Sequence, residues 1–125
     1  MNNNNRVSIQ ERTRKFAVRI INAYSEIIKT KHFTDPAVIL SKQFLRSGTS
    51  IGANCAEAKS AQSTRDFIHK YEIALKESQE LNYWCQIMID ANIVPLQKFQ
   101  LLLKENNEIS NILAASISSL KKKNF

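Results

Sequence analysis

A chain of 125 residues with a formal net charge of +7 is one domain in size, and its two glycines and two prolines leave little room for turns, which points to an all-α fold. Cys55 and Cys85 have no paired neighbours, no secretory signal precedes them and no apolar run reaches the length of a membrane span. The expected setting is therefore the cytoplasm, with both thiols reduced in the core and no membrane partner.

Residues 1–7 read as a disordered polar leader, rich in asparagine and without targeting character. The first helix is predicted from Ser8 to Thr30, because Ile9, Phe16, Ile20, Tyr24 and Ile27 recur at helical spacing and make one amphipathic face. Thr34 and Asp35 then offer N-caps, with Pro36 at the favoured first position, so a second helix is predicted from Pro36 to Ser60. Ser63-Thr64-Arg65-Asp66 resembles a capping box with aspartate in the glutamate position and opens a third helix that runs to Asp90. Along it Phe67, Tyr71, Ala74, Ser78, Leu81, Cys85 and Met88 alternate by four and three, as a bundle seam does. A second stripe, Ile73, Glu77, Glu80, Trp84 and Ile87, wants a partner on another face. Asn92 and Pro95 separate this helix from a fourth, patterned by Leu96, Phe99, Leu103, Asn106, Ile109, Leu113, Ile117 and Leu120. Residues 121–125, with Lys121-Lys122-Lys123, read as a basic tail. Four helices over residues 8–120 with three short connections give an up-down-up-down antiparallel four-helix bundle.

Both glycines fall inside the second helix, where each costs roughly 1 kcal/mol relative to alanine. Gly48 and Gly52 are spaced i, i+4 and so share one side of the helix, and a close approach by another element is the expected compensation.

Residues 45–58, Leu-Arg-Ser-Gly-Thr-Ser-Ile-Gly-Ala-Asn-Cys-Ala-Glu-Ala, with Asp66-Phe67-Ile68-His69 and residues 73–84, resemble the four-helix bundle family of 23S rRNA intervening-sequence open reading frames. That family is similar to the accessory variability proteins of diversity-generating retroelements. The resemblance spans roughly residues 8–120 and implies a homopentameric ring; for the retroelement relatives it implies a basic surface that engages nucleic acid and a reverse transcriptase. Many relatives follow the motif glutamate with glycine, whereas this chain has Glu57-Ala58, so its second turn is expected to start later.

Arg46, Ser50, Asn54 and Glu57 fall on one arc of the second helix, opposite Gly48 and Gly52. Their short side chains suit a close contact, and with the resemblance added they are read as a subunit interface meeting Lys76, Glu77, Glu80 or Trp84 of the third helix. A di-metal centre of the bundle type needs two Glu-x-x-His pairs and two further glutamates; Glu57, Glu77 and Glu80 could supply carboxylates, but the chain has only one acid-x-x-His pair, Asp66 to His69. His32 sits in the loop between the first two helices. No metal, cofactor or catalysis is expected. Arg12, Lys15 and Arg19 form a one-sided basic stripe on the first helix. Together with Lys121, Lys122 and Lys123 they are the expected contacts to RNA or DNA, with RNA favoured, and a ring would repeat them around its axis. A structural or protein-interaction scaffold without nucleic acid is the alternative.

Overall fold

In the computed structural model, which describes residues 7–125, four helices follow one another: α1 (Ile9–Ile28), α2 (Pro36–Ala58), α3 (Thr64–Asp90) and α4 (Leu96–Asn124). The polar leader predicted for residues 1–7 lies outside the described residues except for Val7. No helix among the described residues is long and apolar enough to cross a membrane.

Each helix starts where its capping chemistry allows. Ser8 Oγ accepts from the Glu11 amide, and Asp35 accepts from Ala37 with Pro36 at the first position. Ser63 Oγ accepts from Asp66 N–H, while the Asp66 carboxylate reaches back to Gln62 N–H, one residue before the position a longer glutamate serves. The α2 helix ends at Ala58, two residues short of the expected Ser60, and 3₁₀-type bonds from Lys59, Ser60 and Ala61 finish it without a glycine. α3 closes with Asn92 at φ 60°, a left-handed cap in which Asn92 N–H bonds Ile89 C=O and Ile93 N–H bonds Met88 C=O. Pro95 then blocks any continuation.

The helices run alternately up and down. Arg46 of α2 meets Glu77 and Glu80 of α3, and Glu57, further along α2, meets Lys70, nearer the start of α3, which fixes that pair as antiparallel. Packing is extensive at the α1–α2, α2–α3 and α3–α4 seams and sparse between α1 and α4. The core holds Phe16, Ile20, Phe44, Ile51, Leu81, Met88, Phe99, Ile109 and Leu113, with Phe44 and Phe99 stacked at 5.1 Å between ring centroids. Its one polar knot joins α3 to α4. Ser78 Oγ donates to Asn106 Oδ1 at 2.7 Å and Asn106 Nδ2 donates to Ser78 C=O at 2.9 Å, a reciprocal pair that pins the register of the two helices.

Both glycines do what their spacing implied. A Cβ on Gly48 would come within 2.8 Å of the fully buried Ile20 side chain, closer than such atoms can sit, so the isoleucine would have to shift. On Gly52 it would come within 3.2 Å of the Thr13 carbonyl oxygen, so there the backbones of α1 and α2 themselves approach. Cys55 and Cys85 are free and buried in this core. Burial pushes their thiols up to about 11 and about 12, which leaves them protonated and unreactive near neutral pH.

Candidate nucleic-acid and subunit interfaces

The basic stripe of α1 is not the open surface that its spacing suggested. Arg12 turns into the sparse α1–α4 seam, donating through Nε to Glu105 Oε2 at 2.6 Å and through Nη2 to Glu105 Oε1 at 2.9 Å, and it also bonds Glu108. Its side chain is only 26% exposed. Hydrogen bonding to Glu105 raises the guanidinium above its ordinary value, and the same bond holds the Glu105 carboxyl below the usual range. Arg12 therefore closes a seam and is not free to bind phosphate. Lys15 is exposed but paired with Glu11 one turn away at 3.1 Å. Arg19 is exposed, with no carboxylate within salt-bridge distance among the described residues.

The lysine run is also placed differently from its prediction. α4 continues past Leu120 to Asn124, so Lys121, Lys122 and Lys123 ride on the last turns of a helix instead of in a tail. Lys121 is held by Glu72 of α3 at 2.8 Å, leaving Lys122 and Lys123 exposed and unpaired among the described residues.

The polar arc of α2 meets α3, but within one chain. Arg46 bonds Glu77 at 3.2 Å and also bonds Glu80, and Glu80 accepts from Trp84 Nε1 at 3.0 Å. That indole bond, ahead of the one from Arg46, holds the Glu80 carboxyl below its ordinary range. Ser50 and Asn54 spend their side chains on backbone carbonyls one turn back in α2, and Glu57 pairs with Lys70 at 2.9 Å. Lys76 is exposed and takes no part in the salt bridges of the described residues. The network is a seam of the monomer, and among the exposed residues of α2 and α3 are two large apolar ones, Ile39 and Tyr83, each more than half exposed, with Tyr83 edge-on to Trp84.

One grouping was not read from the sequence. Because α1 and α3 begin where α2 and α4 end, Arg14, Lys59, Arg65, Lys122 and Lys123 converge at one end of the bundle. Arg14 and Lys59 line one groove there and Arg65 and Lys121 another. The alternating topology was legible from the sequence and already implied this meeting of residues distant along the chain.

With this geometry in place, the family assignment is direct. The family described as 23S rRNA-intervening sequence protein matches residues 5–115. This chain belongs to that family. A solved structure from Bacteroides thetaiotaomicron, described as a protein with unknown function from the S23 ribosomal protein family, is similar at 40% identity and a TM-score of 0.80, covering 88% of this chain and 98% of the other. No curated protein matches the chain. The 23S rRNA-intervening sequence proteins thus supply the fold, while the site has to be argued from its charges.

Proposed function

We propose that this member of the family is a non-catalytic, homo-oligomeric bundle that binds RNA through its phosphates, using the basic end where α2 and α4 finish. The supporting observation is the partition of charge at that end. Glu11, Glu57 and Glu72 are each bound to a lysine, whereas Arg14, Lys59, Lys122 and Lys123 are exposed without a carboxylate partner among the described residues. These cations outnumber Asp66, the carboxylate at that end which has no salt bridge among the described residues and serves the start of α3, so a net attraction for polyanions remains. RNA is preferred to DNA in this reading, and the resemblance to the retroelement accessory proteins motivates a pentameric ring, which would repeat the basic end around an axis, with a reverse transcriptase as a protein partner.

Fluorescence anisotropy with a single-stranded RNA at increasing salt tests this reading. Affinity is expected to fall linearly in log–log form with little sequence preference, and the joint change Arg14→Glu, Lys59→Glu, Lys122→Glu, Lys123→Glu is expected to abolish binding with helicity unchanged. No binding at low salt, or binding indifferent to these four positions, would overturn it. The outward Tyr83 and Ile39 favour the second reading, a protein-docking scaffold, in that event. Light scattering settles the assembly: a monomer excludes the ring.

A further inference from the structure

Between the first turns of α3 and the last turns of α4 lies an open groove of about 780 Å³, lined by Arg65, Ile68, His69, Glu72, Lys121 and Phe125. That volume is in the range of small-molecule sites. Its floor is apolar, since Ile68 is buried. Its walls carry the side chains of Arg65, Lys121 and His69 together with the Glu72 carboxylate. The Arg65 guanidinium carbon stands over the Phe125 ring, 4.7 Å from its centroid, a cation–π contact across the mouth of the groove. Phe125 is 64% exposed, so little of it is buried against the groove. Across the groove Lys121 Nζ is 2.8 Å from Glu72 Oε2, an anion on an ammonium near the edge of an apolar floor.

The groove thus already holds, from its own chain, the two parts of a recognisable ligand: an aromatic plane on a guanidinium and an acidic oxygen on a lysine. A wholly apolar ligand would leave Arg65 without an anionic partner and would desolvate the Lys121–Glu72 pair, and a small inorganic anion would make no use of the aromatic surface. We infer that the groove binds a nucleotide, with its base stacked on Arg65 in the place of the Phe125 ring and its phosphate on Lys121 and His69. A phosphate carries more charge and more acceptor oxygens than the Glu72 carboxylate it would displace. The nucleotide comes either free or as the phosphorylated end of an RNA strand. The second source rests on the RNA reading above, and the first does not.

Isothermal titration of the full chain with AMP, and with short RNA strands bearing a 5′-phosphate or a 5′-hydroxyl, tests the inference. AMP is expected to bind, and Arg65→Ala and Lys121→Ala are each expected to weaken it about tenfold, corresponding to ~1.4 kcal/mol. Phe125→Ala is expected to tighten it several-fold, because the competing ring is gone; a purely structural role for Phe125 would not produce that gain. Preference for the 5′-phosphate strand assigns the strand end as the source, and equal binding of both strands with retained AMP affinity assigns the free nucleotide. Absence of AMP binding at millimolar concentration, or AMP binding unchanged in Arg65→Ala and Lys121→Ala, overturns the inference. Salt-dependent binding of long RNA could still persist then and keep the basic-end reading. AMP binding without any long-RNA binding would do the reverse.

Discussion

α1 is held on its two sides by different physics. Towards α2 the contact is steric: Gly48 and Gly52 remove side chains so that Ile20 and the Thr13 backbone can press in. Towards α4 packing is sparse, and the fork of Arg12 on Glu105 and Glu108 does the joining. Steric closeness leaves a mark in the sequence, because glycine inside a helix is costly and so needs a reason. An ion pair leaves none, since Arg12, Glu105 and Glu108 look like ordinary surface charges until the two helices are side by side.

The contrast is broken most severely by filling the steric seam. Gly48→Leu is expected to destabilise by about 1–3 kcal/mol in urea unfolding, since even a Cβ overlaps the buried Ile20 side chain and the gain in helix propensity is only about 1 kcal/mol. A raised urea midpoint would show that the seam has slack. The polar seam is expected to respond to Arg12→Glu with a loss of about 2 kcal/mol, because three carboxylates then face one another in a partly buried position. Lys15→Glu, on the same predicted stripe but exposed beside Glu11, is expected to change stability by no more than about 0.5 kcal/mol, and equal effects at the two positions would erase the distinction drawn here. Acid provides the gentlest probe. Glu105 has a lowered folded-state pKa, so its contribution is fully present above the ordinary carboxylate value near about 4.3 and is lost as pH falls through the lower folded value. Amide protection in α1, taken relative to the intrinsic exchange rate at each pH, is expected to fall across that window in the native chain, and this acid-dependent loss is expected to shrink in Arg12→Leu. An unchanged acid response in the variant would remove Arg12 from the explanation.

The elements were legible because each carried its own punctuation: Asp35-Pro36, Ser63 with Asp66, and Asn92 with Pro95 mark helix limits by local chemistry alone. The α3 seam was read almost residue for residue, with Ile68 buried in place of Phe67, which packs only partly against the core. The end of α4 was placed early, because three adjacent lysines suggest a solvated tail even though lysine is a good helix former and favours a helix C-terminus. The candidate sites were less legible. Whether Arg12 or Arg46 is a free charge depends on which carboxylate the neighbouring helix places within 3 Å or so of it, and no local pattern encodes that.

The helical state of Lys122 and Lys123 alters how they can engage a polyanion. A loose tail sweeps a wide volume and gives up its backbone freedom, about 1–2 kcal/mol per residue, only at the moment of contact. On α4 that freedom has already been surrendered in folding. The carbonyl end of the helix also carries about half a negative charge, which these ammonium groups partly cancel, so the field they project outward is weaker than their number suggests. If the basic end binds RNA as proposed, capture from a distance would be correspondingly slower, but the bound state would require no further ordering of the lysine backbone. Such a surface would discriminate by the spacing of the phosphates offered to it, where a flexible tail accepts any anion within reach.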